Sequence, residues 1–463
     1  MKRKTTAVLL LLRSNWFDRT SSHEAMVELD EDGDRIVYKL SPFLDIVKTW
    51  SIFSVETATA VSVELRSLEI DLVILVYQTR IDQDYIERML KGVGVRPLVA
   101  WCYLPWRRIP QPMTYEDLVK GSSFYGMTAS LSHLRELNVP FLAAFGSADD
   151  PSVLSKIETF SRAAQVANEM TRTHLGVLDD LDESRSPELD CFLSTFGMVP
   201  DRIPMDHMGE ILQAIPNEAI DNYLNELTRR NVELMVTNET LCRGARTALA
   251  LSQLARDREV NFLAVPDHSL QFRGQFDLCP GLPPGFHEEN QPIYIPTTDY
   301  GAIASSVALQ MISASPVFVL RIWFWDRAKN ILVGGHGGIQ NPNGISLGPM
   351  WVSGDYECMR DDPDGGAQLE FILKPGRITM LQINNTSSGC RAMAASGICL
   401  ESEPRIEGIP HAVVRIDCSI EYFLQKMAES GGSAYWVICY GDYISELKAL
   451  FELKAIRFDQ LLD

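Results

Sequence analysis

The sequence predicts an α/β protein with a doubly wound N-terminal domain, a second α/β domain, and a mainly β, barrel-like C-terminal domain with helices. Three observations carry this. Short continuous apolar runs alternate with polar amphipathic stretches over residues 1–173, the pattern a parallel sheet covered on both faces requires. The alternation resumes after residue 174, and from Pro316 onward the chain turns to closely spaced strand runs separated by turn signals. The expected domains are 1–173, 174–344 and 345–463, and 463 residues match about three domains at roughly 150 residues each.

In the first domain the apolar runs are Ala7–Leu12, Ile70–Tyr77, Arg96–Cys102 and Pro140–Gly146, each a candidate buried strand. Amphipathic stretches at Asp82–Lys91 and Thr128–Leu137 lie between them as helices. A long amphipathic helix is expected over 151–173, with Pro151 suited to its first turn. The second domain opens on a strand at His174–Leu178. Helices follow near 206–214, 217–229 and 238–257, then a strand at Asn261–Val265. Phe272–Gln291, rich in Gly and Pro, reads as a surface loop leading to a helix at about 299–313. Further strands are read at 316–326, 330–336, Leu369–Leu373, Arg377–Ile383 and Tyr435–Tyr440, with a turn at Lys374-Pro-Gly-Arg377 and a last helix from Tyr443 to about Leu453.

Charge narrows the function. Lys and Arg number 42 against 61 Asp and Glu, a net charge of −19. Long-range repulsion then opposes nucleic acid and anionic membranes as general partners. Basic Lys2-Arg-Lys4 precedes a six-residue apolar run, Ala7–Leu12, too short for a signal-peptide core, and Arg13-Ser-Asn-Trp-Phe follows where a cleavage site would be needed. The run is read as a first strand, no stretch has the roughly 20 apolar residues of a membrane helix, and the expected location is the cytoplasm. The nine cysteines include no CxxC pair, so scattered reduced thiols are expected.

Generic motifs leave the chemistry open. The sequence has no GxxxxGK[ST], no GxGxxG opening the first domain, and no HExxH. The glycine-rich run Gly334-Gly-His-Gly-Gly338 ends a strand instead of joining strand to helix. Segment order says more. The pieces IDLVILVYQT (70–79), FLAAFGSADDPSVLSKI (141–157), DYGAIASSVALQMISASPVF (299–318), NILVGGHGG (330–338), LKPGRITML (373–381) and ICYGDYISELKALFEL (438–453) follow one another at characteristic spacing. As a set they resemble the L-fucose isomerase/L-arabinose isomerase superfamily, above all its shorter fucose-isomerase-like members.

That resemblance implies a three-domain fold, a cytoplasmic location and homo-oligomers, often trimers or hexamers with sites near subunit interfaces. It also implies aldose–ketose interconversion with a divalent metal, usually Mn²⁺. A hard cation polarises the carbonyl and hydroxyl oxygens, and a carboxylate moves a proton between adjacent carbons through an enediol. Carried over position by position, the family's ligands are altered here. The Glu five residues before the helix glycine Gly301 corresponds to Pro296, and a nearby Asp to Thr298. The strand carboxylate corresponds to Arg321, and the late His to Tyr435; only the turn histidine is kept, as His336. The expectation is therefore no resident cofactor, with Mn²⁺ only if the metal site persists in altered form.

Asp299 has two readings: a carboxylate reaching the place vacated at Pro296, or a cap of the following helix. Arg321 cannot ligate a metal; its guanidinium either substitutes for the cation's charge beside an anionic substrate or pairs with a nearby acid. His336, between glycine pairs, is expected to be better exposed than a core histidine and is taken as a catalytic candidate with Asp299 and Arg321. Tyr435 and the tryptophans Trp323 and Trp325 are substrate-binding candidates, with packing as the competing role. Asp267 and His268, ending a strand, are compatible with a cleft.

Three functions remain open at this level. The leading one is a sugar isomerase-like enzyme moving a proton on a small polyhydroxylated carbonyl compound, a sugar or sugar acid. The others are a metal-independent relative with other chemistry on an anionic sugar-like substrate, and a non-catalytic sugar-binding or assembly subunit.

Overall fold

Apolar runs become strands where the sequence places them. The computed structural model describes residues 3–94, 96–136, 138, 140–179, 186–266, 279–285, 292–354, 366–386, 389–403 and 406–463. The chain forms two compact units, Met1–Asn168 with Lys448–Leu453 and Glu169–Leu447 with Lys454–Asp463.

The first unit holds five parallel strands, β1 (Thr5–Leu12), β2 (Leu44–Ile52), β3 (Leu72–Tyr77), β4 (Leu98–Tyr103) and β5 (Phe141–Gly146), in the order β2-β1-β3-β4-β5. Every residue of β3 and β4 is buried, which is why both read as unbroken apolar runs. Burying each Val, Leu or Ile there contributes about 1.5–3 kcal/mol relative to exposure. β2 lies at the sheet edge, with Asp45, Lys48 and Thr49 exposed; its mixed LDIVKTWSI carries no apolar signal and sequence reading passes over it. The helices Gln83–Val93 and Ser123–Glu136 occupy the expected amphipathic stretches, and the long helix Pro151–Met170 begins on its proline.

In the second unit β6 (His174–Asp179), β7 (Val199–Pro204), β8 (Val232–Leu234), β9 (Phe262–Ala264), β10 (Cys279–Gly281) and β11 (Ile293–Ile295) come first. Of these, four form a parallel sheet of order β11-β9-β6-β7. The strands that follow are β12 (Phe318–Asp326), β13 (Ile331–Gly335), β14 (Ser346–Ser353), β15 (Gly366–Leu373), β16 (Gly376–Thr386), β17 (Gly389–Cys399), β18 (His411–Ile416), β19 (Tyr435–Tyr440) and β20 (Arg457–Gln460). With β8 and β10 they make an 11-stranded sheet, β20-β17-β16-β19-β12-β13-β18-β15-β14-β8, with β10 on β15. A further pairing of β17 with β18 links β16, β19, β12, β13, β18 and β17 into a hydrogen-bonded cycle. The other strands extend outward from it, so the sheet as a whole is not a closed barrel. Phe318, Leu320, Met380, Phe423, Trp436 and Ile438 belong to its core.

The loop expected over Phe272–Gln291 needs correction. Within it Cys279–Gly281 is a strand paired with β15, and Cys279 and Leu282 are buried. Proline at 280 is tolerated because β10 contributes only three residues to this pairing. Among the described residues no helix is long and apolar enough to cross a membrane.

Candidate functional site

The amino end of the helix Tyr300–Ser313 sits against the middle of β16. A Cβ built on Gly301 would lie 1.9 Å from the Ile383 carbonyl oxygen, so only glycine lets the helix approach this closely. Asp299 caps the helix: its Oδ1 accepts the Ala302 amide at 2.8 Å, and its own amide donates to Thr297 Oγ1 at 3.1 Å. The capping reading of Asp299 therefore holds. Burial pushes this carboxyl above the ordinary aspartate value. The Ala302 amide, the Ser433 hydroxyl, the Gly301 amide and the Arg321 charge oppose that rise without cancelling it.

Arg321 enters from β12, opposite Tyr435 of β19 in the strand register. Its Nη2 donates to the Tyr435 hydroxyl, and its guanidinium carbon stands 4.7 Å from the Tyr435 ring centroid. The arginine is thus held by a hydrogen bond and a cation–π contact to the same side chain, and its charge reaches Asp299. The His336 ring lies edge-on to Tyr435, with centroids 5.2 Å apart. Nε2 of His336 donates to the Pro296 carbonyl at 3.0 Å; a carbonyl only accepts, so the proton belongs on Nε2.

The expected exposure of His336 is not found, because this side chain is completely buried. The flanking glycines cause it. A Cβ on Gly335 would lie 2.6 Å from the Pro410 carbonyl oxygen, so neighbouring backbone closes over the turn. Asp299, Arg321, His336 and Tyr435 thus share one place in the second unit, while Asp267 and His268 lie outside the described residues. Trp323 and Trp325 are 41% and 53% exposed, and the intervening Phe324 61%. A bulge between Ile322 and Phe324 interrupts the pairing with β13, and the Trp323 indole donates to the Gly335 carbonyl at 3.0 Å.

Sequence reading missed the network behind this cluster. Gln382 and Asn384 are buried on one face of β16. The Gln382 amide donates to the carbonyls of Ser433 and Tyr435 at 2.7 and 2.9 Å, and Asn384 donates to Gln382 at 3.2 Å. In return the Ser433 amide donates to Asn384 Oδ1 at 2.8 Å. The pair holds the 432–435 segment so that the Ser433 hydroxyl meets Asp299. Gln382 and Asn384 share a strand with Thr379 and Asn385, so nothing in the residue pattern singles them out.

The donor chemistry does not suit a hard divalent cation. Pro296 offers only its carbonyl, which His336 already engages, and Arg321 brings a permanent positive charge. Among the described residues no three His, Cys, Asp or Glu side chains stand close enough together to hold a metal ion. What the cluster can do is hold an anionic oxygen against a preorganised guanidinium and exchange a proton with a desolvated carboxylate.

No known family model matches the sequence. Over 411 residues, 86% of each chain, it is 18% identical to the sulfoquinovose isomerases of Priestia aryabhattai and of Priestia megaterium. Over 405 residues, 83% of this chain and 86% of the other, it is 19% identical to the sulfoquinovose isomerase of Alkalicoccus urumqiensis.

Proposed function

We propose that the protein is a sugar isomerase of the aldose–ketose type, acting on a small sugar or sugar acid without a resident metal. The observation that carries this reading is the desolvated Asp299 carboxylate beside the Arg321–Tyr435 pair. Similarity to isomerases across 86% of both chains supports the choice of substrate class. In the proposed reaction Asp299 takes the proton from the carbon next to the carbonyl. The C–H electrons form the new C=C bond, and the carbonyl π electrons move onto oxygen, giving an enediolate held by Arg321. Asp299 returns the proton to the former carbonyl carbon while the hydroxyl proton passes between the two oxygens, completing the ketose with no net change in atoms. Tyr435 steadies the guanidinium. His336, being buried, acts as a positioning residue for Pro296 and Tyr435. Trp323 is the candidate stacking platform, and Phe324 and Trp325 the candidate contact between copies in a trimer or hexamer.

The test is proton exchange. Aldoses and sugar acids are incubated with the protein in deuterium oxide, with and without a chelator, and followed by NMR. Deuterium on the carbon beside the carbonyl together with ketose, undiminished by the chelator, is the expected result. Exchange that vanishes on chelation restores a metal-dependent isomerase. A saturable sugar-acid complex without any exchange favours the non-catalytic binding subunit, for which Arg321 would be the anchor. Light scattering checks assembly, with a monomer at micromolar concentration removing the contact assigned to Phe324 and Trp325.

A further inference from the structure

The first unit contains a crevice that the reaction above does not use. The chain leaves β1 for β2 on one side of the sheet and returns to β3 on the other, so the order β2-β1-β3-β4-β5 reverses between β1 and β3. At such a reversal the loops leaving adjacent carboxyl ends diverge, and doubly wound sheets bind ligands in the gap. A cavity of about 690 Å³ lies there, of a size that takes a drug-sized molecule. Trp16 follows β1, Arg80 follows β3, and Trp106, Arg107 and Arg108 follow β4; Tyr125 completes the aromatic wall.

The charges are uneven. The Arg80 guanidinium stands 5.3 Å from the Tyr125 ring centroid, and Arg107 donates to the Asp149 carbonyl. Arg107 also feels the carboxylates of Asp149 and Asp150, whereas Arg80 and Arg108 form no ion pair among the described residues. Among the described residues the one carboxylate in the wall, Asp117, is engaged by the Thr114 amide and hydroxyl at 2.8 and 2.7 Å. Two guanidinium groups with no carboxylate partner among the described residues are conspicuous at an aromatic cavity in a chain of net charge −19.

We propose that this crevice is a second ligand site, for a small organic anion (a carboxylate, sulfonate or phosphate) with a flat apolar body. The aromatic walls bury the body, and Arg80 and Arg108 hold the charged group in planar, forked hydrogen bonds. The site is independent of Asp299 and of any turnover.

Anilinonaphthalene sulfonate, an aromatic sulfonate whose fluorescence rises on desolvation, is the probe, with uncharged phenylnaphthylamine as control. Titrated into the full chain, the sulfonate is expected to saturate one site at micromolar concentration and to bind at least ~10-fold tighter than the neutral dye. The double variant Arg80→Gln/Arg108→Gln is expected to weaken the sulfonate by ~10–100-fold and to leave the neutral dye and the melting temperature unchanged. Equal binding of both dyes, or a double variant that binds the sulfonate normally, overturns the proposal. So does a Leu118→Glu variant that dissociates an oligomer by light scattering, since the rim would then belong to a second copy of the chain.

Discussion

Arg321 and Arg108 stand at opposite extremes of how a protein can hold a guanidinium. Arg321 projects from a strand, is half-buried, and is fixed by both the ring and the hydroxyl of Tyr435. Arg108 sits in an exposed loop after β4, with no carboxylate partner among the described residues. A cation fixed in advance needs no reorganisation when charge develops on a substrate oxygen, which is what transition-state stabilisation rewards. A loop cation is free to follow a ligand's shape and serves ground-state binding. On the proposed reading, the difference assigns the chemistry to the second unit and leaves recognition as the role open to the first.

The sharpest way to break that division is Asp299→Asn. Asparagine caps a helix about as well as aspartate, so stability should change by only a few tenths of a kcal/mol. Turnover should fall by about 100-fold or more, because the amide cannot accept the proton. Steady-state kinetics beside a thermal melt checks both, and retained turnover moves the proton carrier elsewhere. Next comes Arg321→Ala, for which a loss of about 100-fold in kcat is expected, with Arg321→Lys recovering little because the planar fork is gone. If lysine restores activity, plain charge suffices and the geometric contrast with Arg108 loses its meaning.

Gly301→Ala sharpens the comparison through packing. The new Cβ would overlap the Ile383 carbonyl, and backbone cannot step aside as a flexible side chain does. A loss of about 3 kcal/mol in denaturant unfolding is expected, with turnover falling because Asp299 moves with the helix. Tyr435→Phe should act more mildly. It keeps the ring under Arg321 and removes only the hydroxyl, so kcat should drop about tenfold with KM little changed.

How much of this was legible depends on what each residue touches. β3 and β4 were readable because both of their faces are covered, leaving no polar position to break the run. β17, GCRAMAASGIC, was not, because small side chains carry little strand preference and owe their place to neighbours on both sides. In the site, Asp299, Arg321 and Tyr435 were reachable by comparing positions with a family pattern. Ser433 and the Gln382–Asn384 pair were not, since their roles arise from hydrogen bonds between β16 and a segment about 50 residues away. Arg80 and Arg108 become neighbours of one cavity only once the sheet order is known.

The smallest expected effect lies away from both sites, at Glu370. This side chain is buried in β15, accepts a hydrogen bond from Ser353, and has Glu407 within electrostatic reach. Burial above all raises its carboxyl over the ordinary glutamate value; Glu407 adds to the rise, and the hydrogen bonds from Ser353, Gly408 and Trp351 only partly offset it. The folded chain then keeps this proton to higher pH than the unfolded chain does. Its contribution to stability is fully present below the unfolded glutamate range and is lost as pH rises through the raised value. Glu370→Gln has nothing to titrate there, so unfolding curves of the two proteins should nearly coincide in acid and separate as pH rises. By neutral pH the variant should be the more stable, with turnover and dye binding unchanged. A variant less stable at neutral pH than in acid, relative to the parent, would mean that Glu370 is held as a carboxylate by a charge partner, making β15 a third place where ionic chemistry enters the fold.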